Sequence, residues 1–234
     1  MRRYKIHLMK MYSVKGFAAV CAIAVAGLFS SCSKDSGASA SVTANVMIVN
    51  STEGSAPQDF YSDSTKVDAT AVAYGQGSGY LSTASGSHTG QFRNAGSTTV
   101  NASSSFVFSG GANYSVFYGS DASSNKFVAT SQDDLTLPSA GKAKVRFVQL
   151  SSAAASSLDI ALGDGTKVAS ALVFRSMSAY NNIDPTASFS LFATGTTTAS
   201  LTIPASTLQA GKIYTILISG ATTATVSYHV IAQN

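Results

Sequence analysis

Few side chains in this sequence could perform acid–base or nucleophilic chemistry. Beyond residue 32 there are two histidines: His88 lies in the polar run Gly86–Gly90, and His229 lies on the last apolar segment, where alternation would face it to solvent. They fall at non-matching positions in the two halves of the chain, and no Gly-x-Ser-x-Gly segment offers an exposed serine nucleophile. Catalysis needs a nucleophile with a base, a paired acid and base, or a metal. The sequence therefore predicts that the protein is not an enzyme and has no catalytic residues.

Oxygen ligands for a metal ion are sparse as well. The candidates are Asp59 with Asp63, Asp121 with Asn125, and Asp133 with Asp134. None of them follows the twelve-residue calcium loop, no His/Cys cluster has zinc spacing, and no glycine loop suits a phosphate. These acids are typical of solvated turns, so the sequence predicts neither a metal nor a cofactor.

Cys32 ends an apolar run that follows a basic start. Five Lys or Arg residues precede the uncharged segment Phe17–Phe29. A secretory signal needs about 7–15 apolar residues and a membrane-spanning helix about 20, so this run fits a signal peptide. The residues Phe29-Ser-Ser-Cys32 resemble a bacterial lipobox, with Phe29 in place of the usual leucine. The resemblance implies a signal peptide over 1–31 and acylation of Cys32; the alternative is an ordinary secretory signal.

The net charge changes when that segment is removed. Residues 1–31 carry five of the 15 Lys and Arg and none of the 11 Asp and Glu, so the remaining chain has ten basic and eleven acidic residues. A net charge of −1 gives no basis for a nucleic-acid partner. Cys21 lies in the removed segment, so a lipid on Cys32 would leave no free thiol and no disulfide.

Residues 32–42 form a Ser/Gly-rich tether. The ten residues from Ser33 to Val42 reach about 17 Å, which would keep the folded part close to the membrane. The absence of Asp directly after Cys32 fits sorting to the outer membrane. Ser33-Lys-Asp35 resembles a surface-export signal but fits a polar tether equally well, so the surface-exposed and periplasmic orientations both stay open.

An internal repeat with a period of about 100 residues organises the rest of the chain. The matches keep their order and spacing, and they pair Ala44–Asn50 with Ala143–Gln149, Asp59 with Asp159, Thr65–Val67 with Thr166–Val168, Ala71–Tyr74 with Ala171–Phe174, Tyr80 with Tyr180, and Gly111–Gly119 with Gly211–Gly220. A period this long indicates tandem domains rather than a solenoid.

Within each copy the apolar segments are short, rich in β-branched and aromatic residues, and separated by glycine or proline turns. We therefore predict an all-β fold with two tandem antiparallel β-sandwiches of immunoglobulin-like size, over 43–139 and 140–234. Alternation gives the predicted core: Val46, Ile48, Val72, Phe106, Phe108, Val116 and Tyr118 in the first copy, and Val145, Phe147, Leu158, Ile160, Leu172, Leu191, Ile216 and Ile218 in the second.

Four tyrosines recur at matched positions, namely Tyr80, Tyr180, Tyr114 and Tyr214. Recurrence predicts a structural role, with buried rings whose hydroxyls bond to backbone. A separate set of aromatic side chains in the first copy could form a binding surface, although most suit a core position: Tyr61, Tyr74, Phe92, Phe117, Tyr118 and Phe127.

The second copy resembles the domain of unknown function 4397. The resemblance rests on Val145–Val148, Leu158–Ile160, Tyr180 and Ala210–Gly220, and it extends more loosely over the first copy. It implies a bacterial cell-envelope β-sandwich protein, often in tandem copies behind a lipobox, with no assigned catalytic residues. The expectation is a non-enzymatic outer-membrane lipoprotein acting as a structural or interaction module. The alternative is a glycan- or peptide-binding accessory lipoprotein of a nutrient-uptake system.

Overall fold

The computed structural model describes residues 42–205 and 208–234. The predicted signal peptide over 1–31, the acylated Cys32 and nearly all of the tether over 32–42 lie outside the described residues. The described part consists of strands and connecting turns, and none of it forms a helix long and apolar enough to cross a membrane.

Eight strands form the first sandwich, which we call sandwich one. They are β1 (Thr43–Asn50), β2 (Gln58–Ser62), β3 (Thr65–Lys66), β4 (Gly77–Ala84), β5 (Gly86–Asn94), β6 (Val100–Phe108), β7 (Asn113–Ser120) and β8 (Lys126–Asp133). Sheet A has the order β4-β1-β7-β8 and sheet B has the order β3-β2-β5-β6.

Nine strands form sandwich two. They are β9 (Ala143–Gln149), β10 (Ser157–Leu162), β11 (Lys167–Val173), β12 (Ser176–Met177), β13 (Asn181–Ile183), β14 (Phe189–Ala193), β15 (Ala199–Ile203), β16 (Ile213–Ser219) and β17 (Ser227–Ala232). Sheet C has the order β12-β9-β16-β17, with β13 also paired to β9, and sheet D has the order β11-β10-β14-β15.

The predicted all-β fold is confirmed, with one difference in strand direction. Most neighbours are antiparallel, but β1 pairs in parallel with β7, and β9 pairs in parallel with β16. Each sandwich therefore joins its first strand to a strand near its end. The domain limits 43–139 and 140–234 stay a prediction, because the described residues form one compact unit by contact.

Each sandwich has its own apolar core, and every core residue predicted from alternation is buried in it. In sandwich one the Phe92 ring packs at a tilt against the rings of Phe60 and Tyr118, while Phe147 packs edge-on against Phe189 in sandwich two. The period-two pattern places these side chains between the sheets because successive side chains on a strand point to opposite faces.

A third apolar cluster lies on the other faces of the same central strands. It contains Met47, Val49, Phe117, Val148, Leu150, Leu217 and Ile231, drawn from both sandwiches. Strands β1, β7, β9 and β16 are consequently buried on both faces over nearly their whole length. We call this contact between sheets A and C the seam.

Each sandwich also contains a serine that makes the same two hydrogen bonds to the backbone. Ser78 Oγ accepts the backbone N–H of Ile48 at 3.0 Å and donates to the carbonyl of Gly79 at 2.7 Å. Ser178 Oγ does the same with Phe147 N–H and the Ala179 carbonyl, at 2.9 and 2.8 Å. Each serine thus satisfies a backbone group where the edge strand leaves the regular ladder.

Candidate functional site

A buried ion pair crosses the seam. Arg146 on β9 and Asp133 on β8 lie 2.7 Å apart between Nη2 and Oδ1, and their side chains are 2% and 0% exposed. In the repeat, Arg146 on β9 corresponds to Met47 on β1. Asp133, the last residue of β8, corresponds to Gln233, which directly follows β17. Each sandwich therefore supplies one charged residue to this ion pair, and the matched residue in the other sandwich, Met47 or Gln233, is neutral.

Hydroxyls complete the surroundings of Arg146. Its Nε donates to Thr215 Oγ1 at 2.8 Å, Nη1 to Ser131 Oγ at 2.7 Å and Nη2 to Ser115 Oγ at 3.0 Å. The guanidinium carbon lies 4.9 Å from the ring centre of Tyr180. A desolvated cation is tolerated only when its donors are used, and here every nitrogen has an acceptor.

Asp133 is equally well satisfied. Its Oδ2 accepts from the Tyr80 hydroxyl at 2.6 Å and from Ser115 Oγ at 2.7 Å, and its Oδ1 accepts from Ser131 Oγ at 3.1 Å. Burial and the neighbouring carboxylate raise the pKa of Tyr80. The phenol therefore stays a proton donor to Asp133 and is unsuited to act as a base.

Gln233 occupies the matching place on the other side of the seam. Its Oε1 accepts from the Tyr180 hydroxyl at 2.9 Å, and its Nε2 donates to the Tyr80 hydroxyl at 3.0 Å. Burial raises the pKa of Tyr180 to about 12. The two tyrosines, the Arg146–Asp133 pair and Gln233 form one continuous network joining the sandwiches.

The prediction for the four tyrosines is therefore confirmed in part. The hydroxyls of Tyr114 and Tyr214 accept backbone N–H groups of Ser109 and Gln209, at 3.0 and 3.2 Å, as predicted. For Tyr80 and Tyr180 the backbone prediction is wrong, because their hydroxyls bond to side chains across and beside the seam. Tyr114 and Tyr214 lie within one sandwich, where a backbone N–H is close to the hydroxyl. Tyr80 and Tyr180 lie at the seam, where polar side chains are close to the hydroxyl instead.

The seam has further contacts near its margins. Tyr74 Oη lies 2.8 Å from Ser219 Oγ, and Glu53 accepts the N–H of Ala221 at 2.8 Å. Phe127 packs edge-on against Phe174, and the Arg175 guanidinium lies 4.2 Å from the Phe127 ring centre. These contacts hold the two sandwiches in one orientation.

The predicted aromatic surface does not form in the described part of the chain. Phe92, Phe117 and Tyr118 are buried. Tyr74 and Phe127 contact sandwich two, which leaves Tyr61 half-buried under the Arg93 guanidinium, 4.2 Å from its ring centre.

The matched aspartates form matched ion pairs. Asp59 lies 2.7 Å from Lys66 Nζ, and Asp159 lies 2.7 Å from Lys167 Nζ. Burial works to raise the pKa of Asp59, but hydrogen bonds from Lys66 and from the Gly96 N–H outweigh it and lower that pKa. Lys167 lowers the pKa of Asp159 in the same way. Repetition of the pair in both sandwiches indicates a structural role.

The other candidate metal ligands are also in local contacts. Asp63 bonds to His88 and accepts the Thr89 N–H. Asp121 accepts the backbone N–H groups of Ser123 and Asn125 in the loop that follows it. Asp134 pairs with Lys144 at 2.6 Å, which lowers the pKa of Asp134 to about 2. Within residues 42–205 and 208–234, no three His, Cys, Asp or Glu side chains lie close enough together to hold a metal ion.

The two histidines have different environments. His88 Nδ1 lies 2.8 Å from Asp63 Oδ2 and Nε2 lies 3.3 Å from the Ser85 carbonyl, so the protonated ring can donate to both. The Asp63 hydrogen bond raises the pKa of His88. His229 is half-buried against Tyr74 at the seam, with a ring centroid distance of 4.9 Å. The expectation that His229 faces solvent is therefore wrong, because sandwich one covers that face of β17.

One family matches the chain, over residues 44–161, and its description is "Domain of unknown function (DUF4397)". The chain belongs to the DUF4397 family. The match covers β1–β9 and most of β10, so it confirms the resemblance seen in the sequence. Tandem DUF4397 copies stay a prediction, because the matched range ends at residue 161. No curated protein matches the chain.

Sequence reasoning missed the most buried ionic contact in this DUF4397 chain. The prediction that Asp133 lies in a solvated turn is wrong, because β8 ends inside the seam and buries this side chain. Arg146 in the otherwise apolar strand Val145–Val148 was the available signal, since a strand buried on both faces rarely holds an unpaired arginine. Cys32, the predicted lipidation site, lies outside the described residues.

Proposed function

We propose that this chain is a non-enzymatic lipoprotein of the outer membrane, held by lipid on Cys32. Its two joined sandwiches would serve as a structural or interaction module of the cell envelope. The main support is the seam, where the charged and phenolic groups bond to one another and so fix the orientation of the sandwiches. A body of fixed shape on a short tether is suited to bearing or spacing a neighbour. The apolar run before Cys32 supports the membrane attachment.

Replacement of the predicted lipidation site tests the attachment. We expect Cys32→Ala to accumulate as an uncut precursor and to lose the mature acylated form, because the thiol is the point of acylation. Cys21→Ala is the matched control, since it changes a cysteine within the predicted signal peptide. Membrane fractionation, metabolic lipid labelling and intact mass report the outcome. Normal trimming and membrane association of Cys32→Ala would contradict the proposal, and protease shaving of whole cells would distinguish the surface from the periplasm.

Binding of a glycan or peptide for a nutrient-uptake system is the second candidate. The observation in its favour is the half-buried Tyr61 ring beside the Arg93 guanidinium on sheet B, with Gln91 bonded to Arg93 at 2.7 Å. A glycan array probed with the Cys32→Ala chain would test it. Reproducible binding to one sugar class that Tyr61→Ala abolishes would favour the accessory-protein function over the structural one.

A further inference from the structure

Three ionisable side chains meet beside strand β2 in sandwich one. Lys66 Nζ lies 2.7 Å from Asp59 Oδ1, and Asp59 also faces the carboxyl group of Asp68. Both aspartates are buried, with exposures of 2% and 3%. One lysine therefore serves two buried carboxyl groups, and a second buried carboxylate beside the pair would be unfavourable.

Asp68 is placed to act as a neutral acid. Its Oδ1 accepts the Phe60 N–H at 2.6 Å, while its Oδ2 is buried and has no hydrogen-bond partner. Burial raises the pKa of Asp68, so this carboxyl holds its proton to a higher pH than an ordinary aspartate. The protonated group can donate to Asp59, which brings an acid into contact with the carboxyl that Lys66 approaches.

Sandwich two repeats the ion pair without the acid. Asp159 lies 2.7 Å from Lys167, as in sandwich one, but the position matched to Asp68 is Ala169. The Asp159 Oδ1 accepts the N–H of Ala171 at 2.9 Å and the hydroxyl of Thr194 at 3.2 Å. The Lys167 side chain is 58% exposed, whereas that of Lys66 is 37% exposed. The two sandwiches therefore differ in the one group that could promote a reaction between lysine and aspartate.

An amine and a carboxyl held in contact can condense to an amide if the proton inventory allows it. Burial disfavours the charged form of Asp59, although bonds from Lys66 and the Gly96 N–H keep its pKa low, and the Asp59 hydrogen bond raises the pKa of Lys66. The reaction must therefore begin with the return of a proton from Lys66 to Asp59. Fixed proximity favours the attack that follows, and an adjacent acid assists the departure of the oxygen.

We propose that Lys66 and Asp59 condense to an amide that joins β3 to β2 covalently, with Asp68 as the assisting acid. The neutral Nζ attacks the Asp59 carboxyl carbon and forms the C–N bond. Asp68 gives its proton to the departing oxygen, the C–O bond breaks, and the nitrogen returns a proton to Asp68. The net change is the loss of one water molecule, so no oxidant or other reactant is needed.

The product suits this environment better than the ion pair does. An amide replaces a buried carboxylate and a lysine charge with one neutral group, and its N–H can donate to the Asp68 oxygen that has no partner. The link also ties β3, which is two residues long, to its neighbour in sheet B. In sandwich two, where Ala169 supplies no acid, the Asp159–Lys167 ion pair should persist.

A tryptic digest of the purified, denatured chain tests the proposal. Trypsin does not cut after an acylated lysine, so we expect the peptide Asp35–Arg93 to stay uncut after Lys66 and to be lighter than its sequence by one water molecule. Tandem mass spectrometry should place the link between Asp59 and Lys66. Cutting after Lys167 in the same digest is the matched control and should be complete. The peptide excludes Cys32, so the result does not depend on membrane attachment.

Variants test each participant. Lys66→Arg, which keeps the charge, should give peptides of full mass. Asp68→Asn keeps an acceptor for the Phe60 N–H but has no proton to transfer, so cutting after Lys66 should return. Asp68→Glu, which keeps the acid, should keep the link.

Complete cutting after Lys66 in the wild-type chain would overturn the proposal. Loss of water together with cutting after Lys66 would also overturn it, because an aspartate would then have cyclised on its own backbone. A linked peptide in folded Asp68→Asn would overturn the role of Asp68. If that variant does not fold, an unlinked but folded Asp68→Glu chain would overturn that role as well.

Discussion

The two sides of the seam carry the same strands with different side chains at the positions that matter. Sandwich one presents Met47 and Asp133 where sandwich two presents Arg146 and Gln233. A contact between two copies of sandwich one would bury Asp133 without a cation. A contact between two copies of sandwich two would bury Arg146 without an anion. An unpaired buried charge is strongly unfavourable. The unequal residues therefore favour contact between unlike sandwiches and disfavour contact between like ones.

The largest effect is expected from Arg146→Met, which places the residue of sandwich one into sandwich two. The variant leaves Asp133 buried with hydroxyl partners only, so the free energy of unfolding should fall by about 3–5 kcal/mol. Urea denaturation measures it. Arg175→Met is the control, because Arg175 lies over Phe127 without a paired carboxylate and should change stability far less.

The double variant Arg146→Met with Asp133→Gln sharpens this comparison, since it makes both sides of the seam neutral. We expect most of the lost stability to return, because replacing both members of a buried ion pair is often neutral or stabilising. A double variant as unstable as Arg146→Met alone would show that packing, rather than the unpaired charge, caused the loss.

A smaller effect is expected from Gly75→Ala at the margin of the seam. Gly75 has a φ of +75°, and a Cβ there would collide with the His229 ring. Backbone strain and overpacking together should lower the free energy of unfolding by about 2–4 kcal/mol. Gly54→Ala is the matched control, because Gly54 has a φ of +68° with nothing near the new Cβ. Equal losses in the two variants would mean that the contact with His229 contributes nothing.

The smallest effect concerns His88, which has no counterpart in sandwich two. Because its pKa is raised in the folded chain, the His88–Asp63 contact contributes fully below the unfolded histidine value of 6.5. The contribution is lost as the pH rises through the folded pKa. Thermal unfolding between mildly acidic and mildly alkaline pH should therefore show a small decline that His88→Gln removes. An unchanged decline in that variant would assign it to another group.

The sequence predicted the interiors of the sandwiches well because one rule governs them. Period-two alternation places Val46, Ile48, Val145 and Phe147 between two sheets, whatever the neighbours do. The opposite faces of the same strands could not be assigned in that way. Whether Met47 or Val148 meets water or another sheet depends on how sandwiches pack, which leaves no periodic signal.

The polar contacts within each sandwich could likewise be predicted from the sequence, whereas those across the seam could not. The repeat correctly paired Asp59 with Asp159, and the structure gives both the same kind of lysine partner. The Arg146–Asp133 contact was beyond that approach, because each charged residue has a neutral residue at the matched position of the other copy and the two meet only in the folded chain. Repeats reveal what two copies share, whereas the seam depends on how they differ.

The parallel pairing of β1 with β7 has a consequence for how the chain acquires its shape. Asn45 bonds to Asn113 across 68 residues, so the first strand cannot be enclosed until most of that half has emerged and come together. Closing so long a loop early is entropically costly and slows folding. A chain leaving a translocation channel from its N-terminal end would therefore stay open while that half emerges, and would then gain order abruptly.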